Sequence, residues 1–399
     1  MKLIYSFILV VFTSFTVNSQ TPHPVIIDLL KELNLDSLTA KVNDLSGENT
    51  CFVNGKVTTI KNRVSKTGND VAAEYLKEHL QALGLTVTDQ KYSTGGRNII
   101  AEQKGTLYPD KKYIICAHYD AVADYCADDN VSGCSAILEA AKLLSKHEFK
   151  NTIVYAFWDE EEIGLVGSKY YANEAKKNKE NIAGVLNIEM LGYDSDNDFL
   201  MDIHTKDVAN SIALSTKLKE INTTYKFKLK TNIKNPGTDR SDHGSFWTNN
   251  FGAICFGEAF FSGDDNPTYH KATDRISKFN LPYFYELSKL SLAAIATLAE
   301  PVALAIDNVS SQQQKVALEA FPNPAQESVT VCYSLPLETT TQLSIYNPIS
   351  DVNNVIINEK LKAGEYQYNI TTSNLTNGVY IISLKTSDKM LTKKLVVQN

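Results

Sequence analysis

Between residues 61 and 298 the chain alternates short apolar runs with helical stripes, and after Glu300 that texture stops. The runs at 98–101, 113–117, 153–158, 183–188, 198–203 and 253–256 have strand length. Residues 71–83 put Ala72, Tyr75, Leu76, Leu80 and Leu83 on one helical face, and Gly84 follows as a helix stop. Residues 133–146 repeat the pattern with Ile137, Leu138, Ala141 and Leu144, and a last helix is expected over 281–298. Strands that alternate with helices predict an α/β fold: a mixed, mostly parallel central sheet flanked by helices.

The flanking regions read differently. Residues 1–19 hold a single early Lys2, an apolar run and small residues up to Ser19, which predicts a signal peptide cleaved before Gln20. No later stretch reaches the roughly 18 apolar residues of a membrane span, so an exported chain without such a span is expected. Residues 20–60 are assigned to an N-terminal pro or leader segment, 61–300 to the α/β domain, and 301–316, with its SSQQQK stretch, to a linker. Residues 317–399 alternate in β fashion, as in Val329, Val331 and Tyr333 or Tyr366, Tyr368 and Ile370, and predict a small all-β sandwich. A formal net charge of −7 argues against nucleic acid as a partner. The six cysteines are scattered without a CxxC pair, and Cys116 and Cys255 fall in apolar runs that suit buried thiols.

Five side chains then stand out, each where a predicted strand ends or in the loop after it: His118 in CAHYD, Asp128 in ADDNVSG, Glu162 in DEEEIGLVGS, Glu189 in NIEMLGYD and His270 in NPTYHKATD. That is where open α/β sheets place their sites. Each has an ordinary explanation alone: Asp128 can cap a helix, and Glu160–Glu162 can be a solvated turn. Glu189 is harder to explain away, because a carboxylate ending an apolar strand needs a cation or a donor. Together, two imidazoles and three carboxylates form a ligand set suited to two zinc ions with one carboxylate bridging. Asp120, two residues after His118, is placed to orient that imidazole, and Glu161 is a free carboxylate beside a candidate ligand.

The motifs HYD, ADDNVSG, EEIGLVGS, NIEMLGY, SDHGSF and YHKATD, spread over residues 65–298, resemble those of the co-catalytic zinc aminopeptidases, family 28 of the metallopeptidases. The resemblance implies two zinc ions per chain, one held by His118, Asp128 and Glu189 and one by Asp128, Glu162 and His270. It implies Glu161 as general base, Asp120 supporting His118, Asp274 supporting His270, and a cis peptide between Asp128 and Asp129. Asp242 and Tyr269 are expected at the substrate, a peptide with a free N-terminus, and His243 is not expected to be a ligand. Many relatives carry Asp where this chain has Glu189. The terminal region separately resembles the sorting domain of type IX secretion, with FPNPA, a GVY segment and a basic KKLVV end, which implies the secretion machinery as a partner and a secreted product. A glutaminyl cyclase, a carboxypeptidase of the same clan and a non-catalytic ectodomain are the alternatives on this fold.

Overall fold

The computed structural model describes residues 21–302, 318–335, 337–348, 352–387 and 389–398. The expected leader, 1–19, and most of the expected linker, 303–316, lie outside them. The chain divides into two units, 1–304 and 305–399.

The first unit opens with helices α1 (Pro24–Glu32) and α2 (Leu35–Leu45). Pro24 sits in the first turn, where its missing N–H is not needed, and Asn34 caps α2 by accepting from the Ser37 amide. Ile26, Leu29, Leu38 and Val42 are buried in the main core, so these helices belong to the α/β unit, and the boundary expected after residue 60 is not where the structure divides. A hairpin of β1 (Cys51–Val53) and β2 (Lys56–Thr58) follows.

The central sheet draws on α3 (Lys66–Ala82), β3 (Thr86–Lys91), β4 (Arg97–Gln103), β5 (Tyr108–His118) and α4 (Gly133–Leu144). Next come β6 (Asn151–Trp158), α5 (Val166–Lys177), β7 (Asn181–Glu189) and β8 (Leu200–His204). The unit closes with α6 (Ser211–Thr224), β9 (Lys230–Lys234), α7 (His243–Thr248), β10 (Ala253–Glu258) and α8 (Leu281–Ala299). The strand order is β3-β4-β6-β5-β7-β10-β8-β9. The middle strands β6, β5, β7 and β10 are parallel, and antiparallel pairing is confined to β3 with β4, β4 with β6, and β8 with β10. Every residue of β6 is buried, as a parallel strand covered on both faces requires. The sheet therefore matches the mixed, mostly parallel sheet expected, and it brings the carboxyl ends of four strands to one edge.

The second unit has two antiparallel sheets. One orders β11 (Leu318–Phe321), β12 (Ser328–Leu335) and β15 (Gly364–Thr371). The other orders β14 (Val352–Leu361), β13 (Thr339–Asn347), β16 (Gly378–Lys385) and β17 (Met390–Val397). Val329, Val331, Leu343, Ile345, Ile382 and Leu395 form a single core between them, an all-β unit as the alternating pattern predicts.

Candidate metal centre

The parallel strands carry their polar ends into one cleft. His118 ends β5 and Glu189 ends its neighbour β7, while Asp159–Glu162 form the turn after β6. The loop before α4 adds Asp129, and the loop between β10 and α8 adds His270. His118 Nε2 lies 3.1 Å from Asp129 Oδ1 and 3.3 Å from Glu189 Oε1. His270 Nε2 lies 3.3 Å from Asp129 Oδ2 and 3.2 Å from Glu162 Oε2. One carboxylate thus stands between two imidazoles, with a further carboxylate on each side.

That central carboxylate is Asp129, which corrects the expectation of Asp128. The Asp128 side chain turns the other way: Oδ1 accepts from the amides of Leu191, at 3.1 Å, and Gly192, at 2.7 Å, and Oδ2 accepts from Asn266 at 3.0 Å. It is 1% exposed and ties the loop before α4 to the end of β7. The cis peptide is likewise one residue later than expected, between Asp129 and Asn130. Asp274 does not reach His270; its carboxylate accepts from the amides of Asp128 and Asp129 and so holds the same loop.

Asp120 takes the expected place, with Oδ1 3.4 Å from His118 Nδ1, and its carboxylate also accepts from the amides of Glu161 and Glu162. The Ser241 hydroxyl donates to Glu189, a contact that no sequence pattern announced. Asp242, expected at the substrate, is fully buried and is not among the residues that line the cleft. His243 is buried with Nε2 on the Thr238 carbonyl, away from the ligand set. Tyr125, Cys126, Glu160, Met190 and His270 adopt left-handed backbone around the cleft, a conformation that non-glycine residues keep where their surroundings impose it.

The charges show what the cluster is suited to bind. Burial pushes the Glu161 carboxyl up to about 10 and Glu162 to about 8, with neighbouring carboxylates adding to the effect. Burial opposes ionisation of Asp129 too, yet the hydrogen bonds from His118 and His270 hold it well below the usual carboxylate range. Burial likewise disfavours a charged His118, but Glu189, Glu161 and the hydrogen bonds to Asp120 and Asp129 overcome this and raise its pKa well above the ordinary value. The hydrogen bond to Asp129 raises His270 as well. Protonated imidazoles thus supply the positive charge that this many buried carboxylates need. Cations would supply it better, and the atoms for them are present: ligand atoms of His118, Asp129 and Glu162 lie within 4.8 Å of one another, and Glu162 Oε1 is buried without a hydrogen-bond partner. Imidazole nitrogen and carboxylate oxygen at this spacing fit zinc.

The cleft has a cavity volume of about 120 Å³ and is lined by these groups together with Met190, His204, Arg240, Phe260, Phe261 and Tyr269. Tyr269, expected at the substrate, does line it, with its ring stacked on His270 at 3.7 Å between centroids. Among the described residues no helix is long and apolar enough to cross a membrane.

Residues 98–295 match peptidase family M28, and residues 319–398 match the secretion system C-terminal sorting domain. An aminopeptidase of Pseudomonas aeruginosa is 32% identical over 197 residues, covering 48% of this chain and 35% of that protein. The chain spans less than half the length of the curated relatives it matches. The crystal structure of the Legionella pneumophila LapA aminopeptidase aligns with a TM-score of 0.59 at 24% identity, over 69% of this chain and 74% of that one. The glutaminyl cyclase of Fimbriiglobus ruber aligns with a TM-score of 0.54 at 19% identity, over 66% of this chain and 95% of that one. At these identities the likeness to the solved structures is one of fold.

Proposed function

The chain carries a peptidase family M28 domain, and on that premise we propose that it is a secreted, zinc-dependent aminopeptidase that removes the N-terminal residue of peptides. The observation that carries the reading is Asp129 standing between His118 and His270, with Glu161 lining the same cleft. His118, Asp129 and Glu189 would hold one zinc, and Asp129, Glu162 and His270 the other. Bound zinc lowers the pKa of water to about 7 and polarises a carbonyl.

The chain's own groups do the rest. Asp120 fixes the His118 ring through Nδ1 and so presents Nε2 to the cleft. Glu161 is the group left to move a proton; positive charge in the cleft draws its raised pKa down until it takes a proton from water and returns it to the leaving amine. The acidic wall of Glu161, Glu162 and Glu189 complements a substrate ammonium group, which restricts cleavage to a free N-terminus. Tyr269, held neutral because burial raises its phenol, is a hydroxyl donor for the developing oxyanion.

The test compares peptides with free and acetylated N-termini, before and after chelation and zinc reloading. Cleavage of free N-termini alone, abolished by chelation and restored by zinc, is expected. Cyclisation of N-terminal Gln without release of an amino acid, or full activity at zero metal content, contradicts the reading. For the second unit we propose export followed by removal of the sorting domain. Mass spectrometry of the secreted protein should find it ending near residue 316, and a secreted chain that retains Asn399 would speak against removal.

A further inference from the structure

The chain between His118 and Asp129 is gripped at three carbonyls by one side chain. Arg63 is 1% exposed, and its guanidinium donates bonds of 2.8 Å to the carbonyls of Tyr119, Tyr125 and Cys126, and to that of Leu45 at the end of α2. Tyr125 and Cys126 are consecutive non-glycine residues in left-handed backbone, with φ of 67° and 42°. Such conformations persist only where the surroundings impose them, and the carbonyls of these two residues are among those that Arg63 takes. From the other end of the loop, Asp274 accepts from the amides of Asp128 and Asp129. The loop is thus strung between a buried cation on its carbonyls and a buried carboxyl group on its amides.

Among the described residues Arg63 forms no salt bridge, which is unusual for a buried guanidinium. Four carbonyls accept from it instead, and nearby Asp274 and Asp129 offset part of the cost of its burial. Only a planar fork with five N–H groups serves four carbonyls from one side chain; a lysine nitrogen has three diverging donors.

We infer that Arg63 is a positioning residue of the metal centre: by fixing Tyr119, Tyr125 and Cys126 it sets His118 against Asp129, and through Leu45 it makes the N-terminal helices part of that setting. The inference rests on the metal reading of the cleft and is independent of which bond is cut.

Cobalt(II) binding to the full chain tests it. Arg97→Lys serves as control, because the Arg97 guanidinium is also buried but pairs with Asp89 and Glu74, and only its backbone, which the substitution keeps, meets Tyr119 and Asp159. Arg63→Lys should weaken cobalt affinity about 10–100-fold in competition with a chromophoric chelator, the usual scale for groups that orient ligands, and shift the visible spectrum of bound cobalt. Arg97→Lys should lower the melting temperature while leaving affinity and spectrum in place. Cys126→Gly, which accepts left-handed backbone freely, should return part of the lost affinity to Arg63→Lys. Wild-type affinity and spectrum in Arg63→Lys overturn the inference. So does failure of Arg63→Lys to fold with and without Cys126→Gly while Arg97→Lys folds, since Arg63 would then serve the framework alone. Because cobalt binding is read without substrate, the aminopeptidase reading can fail and leave this result standing.

Discussion

His118 is 1% exposed and keeps both ring nitrogens against carboxylates, whereas His270, across Asp129, is 39% exposed and rides on a loop. His118 ends a strand in the middle of the sheet, and Asp120 holds its second nitrogen. Among the described residues no partner holds Nδ1 of His270, whose orientation comes from stacking on Tyr269 and from its own left-handed backbone. The carboxylates divide by element but not by exposure: Glu189, 22% exposed, closes β7 and accepts from Ser241, while Glu162, 7% exposed, lies in the turn after β6. One half of the site is thus set by the sheet and the other by loops. On the proposed reading the sheet half is the one pre-organised for an ion.

The largest effect should come from the group that belongs to neither half. Glu161→Gln keeps the shape and removes the proton acceptor, so kcat should fall roughly 10²–10⁴-fold with zinc content unchanged. Loss of zinc in this variant would make Glu161 a ligand and shift the whole division. Next in size, Asp120→Asn should weaken zinc at the sheet half about 10–100-fold, the usual scale for groups that orient metal-binding histidines, and the loop half less, through the contact of Asp120 with the Glu162 amide. Equal weakening at both halves, measured by stepwise zinc titration, would erase the distinction between them.

The smallest effect is in pH. His118 and His270 have raised pKa values in the metal-free chain, and Glu162 is pushed up to about 8, so zinc must displace protons. Zinc affinity should rise with pH by up to about tenfold per unit for each proton released, over a range that begins above the ordinary histidine value near 6.5. In the metal-free chain the same raised groups act in the opposite sense: they add stability below their unfolded-state pKa and lose it as pH rises through the folded value. Calorimetry in buffers of different ionisation enthalpy counts the protons released. A pH-independent affinity above 6.5 would mean that the imidazoles are already neutral.

The sequence made the sheet half more legible than the loop half. The runs at 113–117, 153–158 and 183–188 lie inside β5, β6 and β7, because buried parallel strands are apolar without interruption. His118 and Glu189 could therefore be placed at strand ends from pattern alone. α1 and α2 escaped notice because half of each faces outward and reads as polar leader, and α5 and α6 did so for the same reason. Asp128 and Asp129 are chemically identical neighbours. What separates them is the set of partners Leu191, Gly192 and Asn266, which are remote in sequence and meet Asp128 only in the fold. Arg63 left no mark either, since all its partners are backbone carbonyls.

Asp129 is the carboxylate that both halves share. Elemental analysis of zinc per folded chain in Asp129→Asn and Asp128→Asn tests it most directly. Asp129→Asn should lose zinc from both halves, while Asp128→Asn should melt at lower temperature and still hold close to the wild-type complement. Retention of zinc by Asp129→Asn with its loss from Asp128→Asn would contradict the account.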